Sequence, residues 1–399
     1  MPAPSSSPSA LLRAAITAEA PARRLSTVES ITLLEALEAV PDPRRRRGRR
    51  HRLQSVLYLA LGAVVAGADS WAAIADWAAV TDHDVGIGPP PHASTFRRLL
   101  SRVEVTALEA ALTGWVLARR DAAAAQAAEA GGPLAERRTV LAADGKTLRG
   151  ARQPDGTQTK LVSVYDHAHG LVLTQTPVID GDEIAAFTTA LAALPDLHEV
   201  VITADALHCQ REHARWLHTR GGHYLFTVKT NQPTLRRAVA ALPWGQVSGS
   251  RRQQAGHGRT ESRSIKVIDL DDHPLQALFP YVQRAIKVVR RRRCRRTGKR
   301  SVETVYAVTS LDYRHADPGL LATWIQGHWG IENRVHHVRD VTQSEDRSRV
   351  RAGSGPHVLA TLRNTALNLH RLDGHTNIAR AQRRAAWRAG AAFQAINAA

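Results

Sequence analysis

Three carboxylates in this chain stand where they could share one site. Asp144 is predicted to end the strand-like run TVLAAD, Asp205 ends a second such run, EVVITAD, and Glu332 lies in the helical stretch LLATWIQGHWGIENRVHHVRD. Two aspartates at neighbouring strand ends and a helical glutamate can hold two divalent metal ions, which is how phosphodiester bonds are cut and rejoined. Because magnesium prefers oxygen ligands, the sequence predicts a site for two ions of Mg²⁺ or Mn²⁺.

The stretch around Glu332 holds further metal-capable side chains. Four residues recur at intervals of four, near one face of an α-helix: His328, Glu332, His336 and Asp340. A zinc site from the first three is an alternative, although the HExxH pattern is absent. Other carboxylates are alternatives to Glu332 as the third of the trio: Asp340, Glu345 and Asp346. Asn333 is expected to orient Glu332 or a phosphate.

Cations and amides follow both aspartates. Lys146 and Arg149 come within five residues of Asp144 and are expected to neutralise a phosphate, with ordinary surface charge as the alternative. Lys229 and Asn231 follow the apolar strand YLFTV, a position where α/β sheets place ligand contacts. We expect this pair to contact the DNA backbone or a terminal base.

The elements that carry the aspartates follow a known order. Three strands with hairpin signals precede alternating helices and strands, which is the order of an α/β, ribonuclease H-like fold. That order makes the first and fourth strands neighbours, so Asp144 and Asp205 converge. The predicted catalytic domain spans 136–370. Within it, residues 244–310 lose the helical pattern and predict an antiparallel, β-rich insertion.

The flanking segments differ from this core in composition. Residues 1–25 read as a disordered leader, 26–119 as a small all-α domain, 120–135 as a linker and 371–399 as a basic tail. The apolar run VLYLALGAVVAG is too short for a membrane span and predicts a buried helix.

Charge favours a nucleic-acid partner. Lys and Arg number 54 against 36 Asp and Glu, a formal charge of +18, as expected of a protein that displaces counterions from DNA. High-GC coding bias is an alternative source of part of the arginine excess. The basic cluster from 290 to 296 favours DNA contact by Arg291, Arg292 and Arg293. With only two cysteines, a reduced cytoplasmic setting is expected and a disulfide framework is not.

A short helix in the front segment also carries cations. Ser94 is predicted to cap the helix TFRRLL. Arg97 and Arg98 would then lie in its first turns, as in the recognition helix of a helix-turn-helix. We expect both arginines to contact DNA.

Eight motifs in order extend these inferences to a family. They are DPRRRRGRRHRL, PHASTFRRLL, ADGKTLRGA, ITADALHCQ, YLFTVKTNQ, HGRTESR, HWGIENRVHHVRDVTQSEDRSR and LRNTALNL. With them, the chain from about Glu35 to Leu369 resembles the DDE transposases of bacterial insertion sequences. Within the IS4-like class, it resembles the ISAs1 group, which includes H-repeat-associated proteins.

The resemblance implies roles for individual residues. Asp144, Asp205 and Glu332 correspond to the catalytic, metal-binding triad, with the β-rich insertion between the last two. IS4-like enzymes often carry tyrosine, arginine, glutamate and lysine at fixed spacing on the last helix. The aligned positions here hold Ile325, His328, Glu332 and Arg339. Arg339 keeps a cation expected to contact phosphate, and His328 is likewise expected near DNA.

The resemblance also implies a reaction. Terminal inverted repeats in double-stranded DNA would be nicked by hydrolysis, and the freed 3′-hydroxyl would then attack target DNA, in a bacterial cytoplasm at the nucleoid. Such enzymes act as homodimers or larger synaptic assemblies, and no membrane is involved. Two alternatives stay open: a catalytically inactive, element-derived DNA-binding protein, and a ribonuclease H-like nuclease without strand transfer.

Overall fold

A computed structural model describes most of the chain. The described residues are 32–47, 49–81, 89–129, 138–152, 155–256 and 258–387, together with Ala392 and Ile396. The predicted leader, 1–25, and the later part of the predicted linker, from 130, lie outside them.

Five helices form the front of the chain. They are α1 (Leu33–Glu38), α2 (Leu53–Val65), α3 (Trp71–Val80), α4 (Ala93–Leu100) and α5 (Val105–Glu129). A capping box between Thr32 and Glu35 starts α1. Almost every residue of α2 is buried, which confirms the predicted buried helix. Within the described ranges, no helix is both long and apolar enough to cross a membrane.

Two details of this front differ from the prediction. The cap of α4 is His92, whose Nδ1 accepts a hydrogen bond from the Ser94 amide, so Ser94 is not the cap. Helix α5 continues to Glu129, so the first part of the predicted linker is helical. Its alanine-rich sequence has high helix propensity, which explains why the helix does not stop at residue 119.

One sheet of nine strands dominates the rest of the molecule. The strands are β1 (Val140–Arg152), β2 (Gln158–Asp166), β3 (Val172–Pro177), β4 (Val201–Ala204), β5 (His223–Val228), β6 (Ser250–Gly256), β7 (Arg259–Asp269), β8 (Arg284–Cys294) and β9 (Arg300–Thr309). Their order is β3-β2-β1-β4-β5-β9-β8-β7-β6. Strands β1, β4 and β5 are parallel, whereas β2 pairs antiparallel with both of its neighbours, β1 and β3. The first five strands therefore have the ribonuclease H-like order that the sequence predicted.

Helices and the insertion complete the sheet. The helices are α6 (Glu183–Ala192), α7 (Arg211–Thr219), α8 (Pro233–Ala240) and the short α9 (Leu275–Leu278). The predicted insertion contains four strands and α9, where the sequence suggested three strands and no helix. Strand β9 pairs antiparallel with β5, so the insertion extends the core sheet and is not a separate layer.

The segment that carries Glu332 is not one α-helix. Helix α10 (Pro318–Gly327) gives way to π-helical turns at Ile331–His336 and Val338–Thr342. The prediction of a continuous α-helix from Leu320 to Asp340 is therefore wrong beyond Gly327. A π-helical turn holds more residues than an α-turn, and such turns are frequent at functional sites. The four-residue spacing of His328, Glu332, His336 and Asp340 therefore does not place these side chains on one face, and their partners must be read from the structure.

The last two helices join the front to the sheet. They are α11 (Gly355–Leu372) and α12 (Ile378–Trp387). Leu57 of α2 and Leu108 of α5 belong to the same buried cluster as Leu173 of β3 and Leu359 of α11. The helical front thus shares its core with the sheet. In the predicted basic tail, α12 buries one side and exposes its arginines.

Candidate active site

Strands β1 and β4 bring the two aspartates to one level. Ala143 of β1 pairs with Ala204 of β4 in parallel register, and the next residues are Asp144 and Asp205. Adjacent strands lie about 4.8 Å apart, so these two side chains are neighbours. Asp205 follows the end of β4 as predicted, whereas β1 continues to Arg152. The prediction that Asp144 ends its strand is wrong, because β1 keeps pairing with β2 where β4 stops.

Glu332 reaches the same place from the π-helical turn. A cleft of about 320 Å³ is lined by all three carboxylates, by Lys229 and by residues of the insertion. Asp205 also accepts a hydrogen bond from the Leu207 amide at 2.7 Å, which fixes its orientation. The structure therefore brings the predicted trio to one cavity between the core and the insertion.

The carboxylates of the cleft raise one another's negative potential, and few of them have a cationic partner in direct contact. Burial raises the pKa of the Asp144 carboxyl to about 7. The negative charges of Asp205, Glu183 and Glu332 contribute to this raised pKa. Within the described ranges, Lys229 is the one permanently charged ion-pair partner of the trio, with Nζ 3.4 Å from Asp205 Oδ2. Such a cluster is an environment that favours a bound cation.

Glu183 is a fourth carboxylate that the sequence reasoning did not select. It opens α6, directly after the cap Asp182, and burial raises its pKa with a further contribution from Asp205. Its carboxylate lies so close to Gly145 that a Cβ there would be 2.0 Å from Oε1. The glycine after Asp144 was the available signal, since it admits close approach of another group.

Buried histidines line the back of this cluster. His336 Nδ1 lies 3.6 Å from Asp144 Oδ2, and its Nε2 has no hydrogen-bond partner. His208 Nε2 lies 3.7 Å from Glu183 Oε1, with both of its ring nitrogens otherwise unpaired. Burial lowers the pKa of His336 to about 3 and that of His208 to about 4. Neutral rings of this kind cannot balance the negative charge.

His328 is also neutral, and a threonine side chain fixes its ring. Its Nδ1 lies 3.1 Å from Thr203 Oγ1, and burial lowers its pKa to about 4. The zinc alternative is not supported, because it needs the four-residue spacing of an α-helix, which the π-helical turn at Ile331–His336 does not keep, and because His336 does not line the cleft that His328 and Glu332 share.

Other carboxylates of this segment are engaged elsewhere. Asp340 pairs with Lys146, Asp346 with Arg149, and Glu345 with Arg339. None of these three carboxylates lines the cleft, whereas Glu332 does.

Two predicted DNA contacts are corrected by burial. Arg339 is fully buried and donates hydrogen bonds to Glu345, Gln175 and Asn364. Lys146 is 7% exposed, with its Nζ 2.5 Å from Asp340 Oδ1. Both cations face the interior because strand alternation and the π-turns direct them there, so neither is available to a phosphate.

The remaining predicted contacts lie at the surface or brace a turn. Arg97 and Arg98 are exposed on α4, and Arg149 is exposed beside Asp346. Arg291 and Arg293 are exposed on β8, whereas Arg292 is half-buried and pairs with Glu261 at 3.0 Å.

Two asparagines hold the backbone near the cleft. The Asn231 amide donates to the Ala206 carbonyl, which braces the turn after Asp205. The Asn333 amide donates to the Trp329 carbonyl at 2.9 Å.

Trp329 links the insertion to the catalytic turn. Its ring lies between two guanidinium groups, with centroid distances of 5.4 Å to Arg263 and 4.9 Å to Arg290, within cation–π range. Glu261 accepts a hydrogen bond from Arg263 Nε at 2.6 Å and forms an ion pair with Arg290, whose Nε lies 3.0 Å from Glu261 Oε1. These contacts hold one wall of the cleft against the turn that carries Glu332, and sequence patterns gave no sign of them.

Comparison with known proteins agrees with this architecture. Residues 34–116 match the family described as DDE_Tnp_1-associated, and residues 135–369 match the family described as Transposase DDE domain. Putative transposase YncI of Escherichia coli O157:H7 is 28% identical over 85% of this chain and 87% of its own. The H repeat-associated putative transposase YhhI of Escherichia coli K12 is 27% identical over 84% and 89%.

A solved structure was also found. The cryo-EM structure of a piggyBac transposase synaptic complex with hairpin DNA covers 84% of this chain and 70% of its own, with 11% identity and a TM-score of 0.38. That score is too low to support an argument.

The family match spans more than half of the chain and includes all three carboxylates of the cleft. Family members depend on divalent metal and act on DNA. The chain therefore belongs to the Transposase DDE domain family and is a DDE transposase, an enzyme that cleaves DNA and transfers its strands.

Proposed function

We propose that this transposase cuts DNA at terminal inverted repeats and joins the freed ends to target DNA, with Asp144, Asp205 and Glu332 as its catalytic triad. The observation that carries the proposal is that these three carboxylates line one cleft in a member of this family. The motifs quoted above further support membership of the ISAs1 group and action in a bacterial cytoplasm.

The donor set fits two ions of Mg²⁺ or Mn²⁺. The triad supplies only oxygen ligands, as these ions prefer. Burial and, to a smaller extent, the neighbouring carboxylates raise the pKa of Asp144, and a bound cation would favour its ionised form. Glu183 is close enough to serve as a further ligand. When bound, the ions would activate the attacking oxygen and stabilise the leaving oxygen.

The protein's own groups would position the DNA. Lys229 is 60% exposed beside Asp205, so it can contact a phosphate at the cleft without losing a buried partner. His328, as a neutral ring in the cleft wall, can exchange a hydrogen bond with DNA. Asn333 is proposed to do the same beside Glu332. Asn231 would act indirectly, through the turn after Asp205.

Exposed arginines would extend this contact beyond the cleft. The proposed set is Arg97, Arg98, Arg149, Arg291 and Arg293. Arg292 is proposed to support its neighbours through Glu261. Because two DNA ends must be joined in one event, we also propose a homodimer or larger synaptic assembly.

The test is a cleavage and joining assay on DNA that carries the flanking inverted repeats. Wild type is compared with Asp144→Ala, Asp205→Ala and Glu332→Ala, in Mg²⁺ and in EDTA. We expect each substitution to lower product formation by about 10³-fold or more, while DNA binding measured by gel shift persists. Asp346→Ala is the matched control, since this carboxylate pairs with Arg149 outside the cleft, and it is expected to retain activity.

Other outcomes separate the alternatives. DNA binding without cleavage by the wild type would favour an inactive, element-derived protein. Cleavage without joining would favour a nuclease. Equal loss in Asp346→Ala and the triad variants would mean that the assay reports general damage, and it would overturn the assignment of the triad.

A further inference from the structure

A second group of metal-capable side chains lies at the opposite end of β4 from Asp205. It consists of Glu199, His223 and His315, whose ligand atoms all lie within 4.8 Å of one another. Glu199 precedes β4 and Asp205 follows it, a separation of roughly 20 Å at about 3.3 Å per residue. This group is therefore distinct from the carboxylates of the cleft.

Each histidine of this group is held through its other nitrogen. His315 Nδ1 lies 2.7 Å from Asp312 Oδ1, and His223 Nδ1 lies 3.3 Å from Ser310 Oγ. Both contacts leave Nε2 as the free ligand atom, and His223 Nε2 is 3.7 Å from Glu199 Oε1. Histidine ligands of metals usually have such a second partner, most often a carboxylate or carbonyl, which fixes the tautomer and the ring.

The chemistry of the donors selects among cations. Two imidazoles and one carboxylate suit Zn²⁺, which binds nitrogen ligands and completes a tetrahedron with water. Hard ions such as Mg²⁺ prefer an all-oxygen shell. Arg138 forms an ion pair with Glu199 Oε2, so it competes for the carboxylate but leaves Oε1 directed at His223.

We propose that Glu199, His223 and His315 bind one zinc ion. The three residues come from the entry to β4, the first residue of β5 and the loop after β9. Because β5 and β9 are the strands through which the insertion joins the core, zinc here would fasten that junction. This proposal does not depend on the assignment of the catalytic triad.

The test is zinc binding by full-length, tag-free protein after removal of metal. Zn²⁺ is titrated in competition with a chromophoric chelator, with excess Mg²⁺ present to occupy the carboxylates of the cleft. We expect one tight site in the wild type, and loss of affinity by about tenfold or more in His223→Gln and in His315→Gln. Co²⁺ should give the visible absorption of a tetrahedral site in the wild type but in neither histidine variant.

Three controls fix the location. His169→Gln is matched, since His169 also pairs with an aspartate, at 2.9 Å from Asp166, but belongs to no such group; its zinc affinity should equal that of the wild type. Asp144→Asn should also keep the site. Arg138→Gln should bind zinc several-fold more tightly, because a competing cation is removed.

The proposal is overturned by any of three results. They are a wild type without tight zinc, zinc retained by both histidine variants, or zinc lost in Asp144→Asn, which would move the ion to the cleft. The Arg138→Gln arm remains decisive if a histidine variant fails to fold, because weaker or unchanged zinc binding there would mean that Glu199 serves only its ion pair.

Discussion

Two groups of charged residues lie along the same face of β1 and differ in how their charge is balanced. Asp144 and Lys146 are two residues apart, so they project to one side of the strand. Around Asp144, carboxylates gather, and within the described ranges Lys229 is the permanently charged side chain that forms an ion pair with the trio. Around Lys146, buried Glu345 meets the guanidinium groups of Arg339 and Arg363 as well.

The pKa values of the two acids move in opposite directions. Burial alone would raise both, but Arg339 and Arg363 outweigh it and lower the pKa of Glu345 to about 2. Asp144 lacks such partners, and its pKa rises to about 7. We infer that a buried carboxylate paired with arginines stabilises the fold. Carboxylates without such partners are instead available to bind a metal cation.

The first test removes one cation from the group around Glu345, in which negative and positive charges are balanced. Arg339→Met leaves Glu345 buried without its main partner and should cost about 3–5 kcal/mol of unfolding free energy, measured by urea denaturation. The exposed Arg347→Met is the control, with an expected change within about 0.5 kcal/mol. Adding Glu345→Gln to Arg339→Met should restore part of the loss. Equal effects at Arg339 and Arg347 would contradict the buried pairing.

The second test titrates the unbalanced group without metal. The folded protein keeps a proton on Asp144 that the unfolded chain releases, because the pKa rises from 3.8 to about 7. The stability difference between Asp144→Asn and the wild type in EDTA should therefore grow as pH rises from about 4 to about 7, to on the order of 2 kcal/mol in favour of the variant at pH 8 after allowance for partial exposure. The difference is the quantity to measure, because buried histidines with a lowered pKa, such as His336 and His208, contribute stability that rises over the same pH range in both proteins.

Added Mg²⁺ and the opposite pH dependence of Glu345 provide the controls for that titration. Mg²⁺ should stabilise the wild type at pH 8 but not Asp144→Asn, as read from thermal unfolding. Glu345 has the opposite sign: its lowered pKa contributes stability that is lost only as pH falls below about 4. A stability difference between Asp144→Asn and the wild type that stays constant between pH 4 and pH 7 without metal would argue against the unbalanced cluster.

The smallest expected effect tests whether the Glu183 carboxylate helps to hold metal. If its carboxylate helps to hold metal, Glu183→Gln should raise the Mg²⁺ concentration for half-maximal cleavage by about tenfold, with little change at saturating Mg²⁺. Glu212→Gln, an exposed glutamate on α7 that pairs with Arg215, should leave the curve unchanged. An identical Mg²⁺ dependence in all three proteins would assign Glu183 to packing against Gly145.

Local sequence patterns predicted much of the frame. Alternating and apolar runs predicted the first five strands in order, and from that order followed the meeting of Asp144 and Asp205. Glu332 was selected with help from family motifs, and the structure brings it to the same cleft. The catalytic roles of all three remain predictions until the assay is made.

The predictions from sequence failed where contacts between residues far apart in the chain determine the environment of a side chain. Arg339 and Lys146 looked like phosphate contacts because they are cations near carboxylates, yet both are buried. Lys146 pairs with the distant Asp340, and Arg339 donates hydrogen bonds to the distant Gln175 and Asn364 besides its ion pair with Glu345. The π-helical turns were not predicted, and the glycine after Asp144 indicates that some group comes close without identifying that group as Glu183.

The sequence by itself determined which residues can carry charge, which runs form strands and helices, and which family the motifs indicate, because periodicity and residue type act over short stretches of chain. Only the tertiary structure decided which charges are balanced. Burial and pairing join residues as far apart as Lys146 and Asp340, and the strength of a charge interaction depends on how much water the fold excludes around it.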